Sequence, residues 1–221
     1  MAEDVRDRVA GFWDAQAASF DDEPDHGLSD HVVREAWMAR LRSWLPGPPA
    51  EVADLGCGTG TLSVLLAGEG YGLQGVDLSA QMVRAARAKA RAAGVDVEFQ
   101  HADAADPPLA PASVDVVLAR HLLWTLPDPH RALANWTRLL RPGGTLVLIE
   151  GRWDQPDGTT DEGDPALKAA LPWLNGVDAA TLTAALVPLV EAFAVHDLSD
   201  DPQLWGRAVH DERFALVART S

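Results

Sequence analysis

A doubly wound α/β domain with a largely parallel sheet is the fold class predicted by this sequence, on three observations. Short apolar runs alternate with helical patterns from residue 51 to residue 150, a glycine-rich turn joins the first run to the first helical pattern, and an acidic residue closes the second run. Strands alternating with helices imply parallel pairing, right-handed crossovers and helices on both faces. At roughly 150 residues per domain, a chain of 221 residues fits one complete core with an appendage better than two domains.

The elements follow in order. The first 45 residues read as helix, and Asp30 has the chemistry of an N-cap ahead of Val33, Trp37, Leu41 and Trp44/Leu45, whose spacing makes one buried stripe. Pro46-Gly47-Pro48-Pro49 stops that helix and marks a joint, so residues 1–45 are expected to form a helical lid on a domain spanning 46–221. Segments at 51–55, 60–67, 73–77, 79–93, 95–100, 114–119, 128–140 and 145–150 then alternate as strand and helix, with Val95–Gln100 following its helix directly. Ser79 and Asp128-Pro129 look like helix starts, the second with proline in the first turn. Residues 151–164, rich in Gly, Asp, Thr and Pro, read as loop and 178–190 as helix, which together suggest an insert over about 151–190. Fourteen residues separate the runs 193–198 and 213–218, too few for a crossover helix, so antiparallel pairing is expected at the sheet edge.

Composition narrows the partners. Eighteen Lys+Arg against 33 Asp+Glu give a net charge of −15, which repels nucleic acid and anionic bilayers. Arg84, Arg87 and Arg91 recur at helical spacing and read as a solvated face. The single cysteine, Cys57, forbids an internal disulfide, and the first residues lack the apolar stretch of a secretory signal, so a cytoplasmic protein is expected. The longest apolar stretch, 114–126, is interrupted by Asp115, Arg120 and His121 and falls short of the roughly 20 residues of a membrane span. Eight Trp against one Tyr is an unusual balance.

The most informative segment is Val52-Ala53-Asp54-Leu55-Gly56-Cys57-Gly58-Thr59-Gly60, at the first strand-to-helix turn. Glycines there let backbone approach a ligand closely. Asp77, at the end of the next strand, stands where a carboxylate accepts from both hydroxyls of a ribose. A dinucleotide fingerprint fails, since Thr61 or Ser63 occupies the position of its last glycine, and no phosphate loop ending in Gly-Lys-Ser/Thr is present. Asp54, just before the loop, is ill placed beside a pyrophosphate but suits a cationic amino group.

The sequence resembles the class I S-adenosylmethionine (SAM)-dependent methyltransferases. The resemblance rests on Asp54-Leu55-Gly56-Cys57-Gly58-Thr59-Gly60, on Gly75-Val76-Asp77-Leu78-Ser79 with Met82, and on Ala102-Asp103-Ala104. Asp115-Val116-Val117-Leu118-Ala119 and Leu140-Arg141-Pro142-Gly143-Gly144-Thr145-Leu146 complete it, so that it covers about 51–150 strongly. It implies a Rossmann-like, largely parallel seven-stranded sheet with an antiparallel last hairpin. It also implies that Gly56, Gly58 and Gly60 floor the methionine part of SAM, that Asp77 holds the ribose, and that Leu78 and Met82 flank the adenine. Asp103 and the Ala104 backbone would bind the adenine edge, and Arg120 would lie near the methionine moiety.

Each assignment has a plainer counterpart. Cys57 suits a small filler between glycines, Met82 a helix core residue, Asp103 a strand-end turn. Trp124, Trp136 and Trp205 read as core, with Trp124 placed where the acceptor is commonly faced. The segment from Phe12-Trp13-Asp14 to Leu28 resembles the leader of small-molecule methyltransferases, but relatives often carry a tyrosine where Phe20 or Trp13 stands. Closure would then rest on apolar burial and the indole N–H of Trp13. His26 and His121 are the candidate bases, against a hydrogen-bonded structural role, and Glu150 is a third, against an ion pair with Arg152. No metal ligands are expected.

The expected activity is methyl transfer from SAM to oxygen or nitrogen of a small-molecule acceptor, by a monomer or homodimer. Alternatives are C-methylation of a quinone precursor, a SAM-binding regulator without turnover, and an NAD-dependent oxidoreductase, which the missing fingerprint glycine disfavours.

Overall fold

Helix α1 covers Ala2–Gln16, a 3-10 turn Phe20–Asp22 and the single-turn α2 (Pro24–Gly27) follow, and α3 runs His31–Trp44. Asp30 caps α3, its carboxylate accepting from the Val32 amide at 2.7 Å. The predicted alternation is present as β1 (Glu51–Leu55), α4 (Thr61–Gly68), β2 (Gly72–Asp77), α5 (Ala80–Ala93), β3 (Glu98–His101), β4 (Val114–Arg120), α6 (Pro129–Leu139) and β5 (Leu140–Arg152). Ser79 caps α5 by accepting from Met82 N, and Asp128 caps α6 by accepting from Arg131 N. Then come α7 (Pro165–Ala170), α8 (Ala179–Leu186), β6 (Ala192–Asp197), the short α9 (Pro202–Trp205) and β7 (Glu212–Arg219). This computed structural model describes residues 2–153 and 165–221, so most of the loop expected at 151–164 lies outside the described residues.

The seven strands form one sheet in the order β3-β2-β1-β4-β5-β7-β6. The first five pair in parallel, while β7 enters between β5 and β6 and runs antiparallel to both. The strand order reverses between β1 and β4, so the loops after them diverge and open a crevice at their carboxyl ends. Register aligns Leu55 with both Val76 and Ala119, which brings Gly56, Asp77 and Arg120 to one level at that crevice.

Alternation along the central strands splits the core into two layers. Ala53, Leu55, Val117, Ala119, Leu146 and Leu148 face α6 and α8, where Trp136, Leu182 and Leu186 are buried. Val52, Val116, Leu118, Val147 and Ile149 face α3 and α4. Here the sequence expectation needs correction: α3 does not belong to a lid. Its Val33, Trp37, Met38, Leu41 and Trp44 are buried in the second layer, and the Trp37 indole N–H donates to Leu204 O at 2.8 Å. Truncating Trp37 to alanine would cost about 3–5 kcal/mol. The covering part of the N-terminal segment is α1 with the short turns up to Leu28. Likewise α8 is a core helix, not part of an insert.

Candidate functional site

The crevice at the switch point is a cavity of about 1000 Å³ whose walls come from the loops after β1, β2, β3 and β4, closed on one side by α1 and α2. At the loop after β1, Gly58 has φ +54°, and a Cβ there would stand 3.5 Å from the Phe20 ring, in the space the cavity uses. Its amide donates to Asp77 Oδ2 at 2.8 Å, and Ser79 N donates to Oδ1 at 2.8 Å. A carboxylate has about four acceptor positions, so roughly two remain on Asp77 for a ligand. Burial raises its pKa, opposed by those two N–H groups.

Asp54 accepts from the Ser63 hydroxyl at 2.5 Å, and burial lifts its pKa to about 6. Cys57 packs with Val83, Ala86 and Phe99, and burial pushes its thiol upward, which fits a filler and not a nucleophile. Gly60 departs from the expectation. It is not on the cavity wall: a Cβ there would meet Ala86 and Phe99 at 2.8 Å, so this glycine permits close approach of α5 and β3 and does not floor a ligand.

At the other end, Leu78, Met82, Asp103 and Ala104 line the wall. Met82 is also a buried residue of α5, so its core reading holds, and it stands on the cavity wall as well. The Ala105 amide donates to Asp103 Oδ1 at 2.9 Å, and Trp136 Nε1 donates to Ala104 O at 2.7 Å, which fixes this turn from beneath. From α1, Arg6 donates to Asp103 Oδ2 at 3.0 Å. Asp14 reaches across to the start of α5, accepting from the Ser79 hydroxyl at 2.5 Å and from Gln81 N at 3.0 Å. An anion at a helix N-terminus is favourable, so α1 is moored at both ends of the wall. No sequence signal marked Arg6 or Asp14, because both contacts span more than sixty positions.

Beyond Asp54 the wall turns aromatic. Trp13 meets Phe20 and Trp124 edge to face, each at 5.9 Å, and Trp124 lines the cavity as its position suggested. Among the described residues, no hydrogen bond from the Trp13 indole joins this cluster. Arg120 donates to Asp25 O at 2.6 Å and lies 5.3 Å from the Trp37 ring centre. His26 stacks on Phe20 at 4.2 Å, and burial lowers its pKa against the pull of Asp25. His121 has φ +55°, and its pKa falls well below the usual value through burial and then the nearby Arg120. His26 Nδ1 and His121 Nε2 are buried with no hydrogen-bond partner among the described residues. One donor atom each from Asp25, His26 and His121 lies within 4.8 Å of the other two, a cluster the sequence analysis did not anticipate.

Glu150 needs correction. It is fully buried, is not on the cavity wall, and Oε1 accepts from the Leu122 and Leu123 amides, each at 3.0 Å. Burial raises its pKa to about 8. The alternative reading, an ion pair with Arg152, is not formed among the described residues, where Arg152 stands 4.0 Å from Asp178. Glu150 therefore positions the segment after His121 and is not placed to act as a base.

Comparison with known proteins agrees with this architecture. Residues 53–148 match the family described as methyltransferase domain. A ubiquinone biosynthesis O-methyltransferase from Xanthomonas campestris pv. campestris is 36% identical over 140 residues, covering 62% of this chain and 54% of that protein. A demethylmenaquinone methyltransferase from Clavibacter sepedonicus is 38% identical over 114 residues, covering 51% and 46%. The chain spans about half the length of the curated relatives it matches. Among solved structures, geranyl diphosphate C-methyltransferase from Streptomyces coelicolor A3(2), in complex with Mg2+, geranyl diphosphate and S-adenosyl-L-homocysteine, superposes with a TM-score of 0.72. That match covers 98% of each chain at 17% identity, a likeness of fold.

Proposed function

We propose that this chain is a class I methyltransferase that binds SAM in the crevice and methylates oxygen or nitrogen of a small-molecule acceptor, a reading supported by the match of residues 53–148 to a methyltransferase domain and by the fold. The observation that carries the reading is Asp77: a buried carboxylate, held by the Gly58 and Ser79 amides, with acceptor capacity left over on the wall of a ligand-sized cavity.

The residues present fit the cofactor. Asp77 takes the ribose hydroxyls, Leu78 and Met82 flank the adenine, and Asp103 with the Ala104 backbone meets its edge. Gly56 and Gly58 leave room for the methionine part, and Asp54, ionised above about pH 6, faces its ammonium group. SAM supplies a methyl group on a sulfonium, and displacement from it is in-line. The protein's work is therefore alignment and exclusion of water, which falls to Trp13, Phe20 and Trp124 on the apolar side. His26 and His121, neutral through burial, orient the acceptor and take its proton when it arrives protonated. The setting we propose is cytoplasmic and the acceptor small, a reading supported by α1 and α2 closing one side of the cavity.

Isothermal titration with SAM and with S-adenosylhomocysteine tests the cofactor reading: micromolar binding to the wild type and at least tenfold weaker binding by Asp77→Ala are expected. Unchanged binding by that variant would overturn it. C-methylation is the second reading, favoured by the demethylmenaquinone methyltransferase among the relatives. Product mass spectra from a panel of hydroxylated aromatics, amines and quinols separate the two.

A further inference from the structure

The geometry points to a divalent-metal site formed by Asp25, His26 and His121 on the acceptor side of the cavity. All three line it, and a donor atom from each lies within 4.8 Å of the other two. Two neutral imidazoles and one carboxylate form a donor set suited to borderline divalent ions such as zinc, iron(II) or cobalt(II), and three protein ligands leave a position open for a bound molecule.

Independent features of the structure agree. His121 Nε2 is buried without a hydrogen-bond partner among the described residues, a costly arrangement for an imidazole, and His26 turns its Nε2 to within 3.8 Å of Asp25 Oδ2. His121 adopts φ +55°, an uncommon conformation for a residue with a side chain, directly after the end of β4. The Glu150 carboxyl oxygen holds the next two amides and so fixes that turn. The His26 ring is clamped by stacking on Phe20. Arg120, the cation beside the site, donates to the Asp25 backbone, and the Asp25 carboxylate faces His26 at 3.8 Å, within the cluster. A metal there would bind an acceptor hydroxyl at its open position, lower its pKa so that the proton passes to water, and hold the resulting oxyanion toward the methyl donor. With the metal bound, the two imidazoles would serve as its ligands, and this would replace the free-base role given to them under the proposed function. This inference goes beyond the proposed activity, and cobalt binding without SAM tests it separately from that activity.

The test is titration of the metal-stripped chain with Co2+, followed by visible absorption and calorimetry. One equivalent per chain is expected, with a d–d band, and at least tenfold weaker binding in Asp25→Asn and in His121→Ala. His210→Ala, an exposed histidine away from the cluster, should bind as the wild type does. If a cluster variant fails to fold, cobalt-edge X-ray absorption of the wild type decides, with two imidazole ligands expected. No stoichiometric binding, binding indifferent to His121→Ala, or fewer than two imidazoles would overturn the site. Calorimetry with SAM on the stripped protein reports on the cofactor crevice alone, so failure of one reading leaves the other measurable.

Discussion

Arg6 of α1 and Asp103, ninety-seven positions apart, form an ion pair at 3.0 Å over the end of the cavity lined by Leu78 and Met82. The covering helix is thus tied to the very carboxylate that the cofactor reading assigns to the adenine edge. The Arg6 side chain is 45% exposed, so the pair contributes under about 1 kcal/mol to folding. Arg6→Ala should leave the melting temperature within about 2 °C of wild type. It should speed SAM dissociation by roughly threefold to tenfold in stopped-flow measurements, since about 1 kcal/mol of closure is a factor near five. An unchanged off-rate would show that α1 does not gate release.

Asp54 sets an expected pH profile for cofactor binding. Burial holds it neutral below about pH 6 in the free protein. Its ionised form accepts hydrogen bonds from an ammonium group and is worth about 1.5–3 kcal/mol. SAM affinity should therefore rise as pH increases through about 6 and then level off. Asp54→Asn should bind about tenfold more weakly at neutral pH and lose that pH dependence, read by calorimetry across the range.

Glu150 governs the stability profile in the opposite sense. Its pKa is raised from 4.5 to about 8 by burial, so the folded state holds a proton that the unfolded state releases. Its stabilisation is complete below pH 4.5 and is lost as pH rises to about 8. Glu150→Gln keeps an acceptor for the Leu122 and Leu123 amides and cannot ionise. Urea unfolding at several pH values should show the wild type losing stability across that window while the variant's slope flattens. Glu150→Ala, which leaves both amides unpaired, should lose about 2–5 kcal/mol below pH 4.5, and its difference from the wild type should shrink as pH rises to about 8.

Gly60 predicts a purely structural effect. Alanine there requires φ +75° and places a methyl 2.8 Å from both Ala86 and Phe99. Gly60→Ala should cost about 2 kcal/mol or more and lower the melting temperature by several degrees. The folded fraction should bind SAM with a near-normal dissociation constant, because this residue is off the wall. Normal stability with lost binding would return Gly60 to the ligand floor.

What the sequence made legible was whatever is written locally. The short apolar runs at 114–119 and 145–150, the caps at Asp30, Ser79 and Asp128, and the glycine loop each depend on neighbours a few residues apart, and each element stands where expected. Asp54, Asp77, Leu78, Met82, Asp103, Ala104 and Arg120 reach the cavity because they end strands or begin helices at its edge. What stayed hidden was tertiary. The stripe of α3 was visible but not the layer that it covers, and Glu150 follows the alternation of β5 into the interior instead of the crevice. Asp25 and His121 lie ninety-six positions apart, and only the approach of α2 to the end of β4 brings them together.

The scarcity of tyrosine has a practical consequence. Tyr71, the only one, donates its hydroxyl to Pro46 O at 2.9 Å, outside the cavity, whereas Trp13, Trp124 and Trp153 line it. Near-ultraviolet excitation of the unlabelled protein therefore yields an emission signal with a large share arising within reach of any bound molecule. Occupancy of the crevice becomes an optical quantity, and Trp124→Phe with Trp153→Phe tells which end of it has filled.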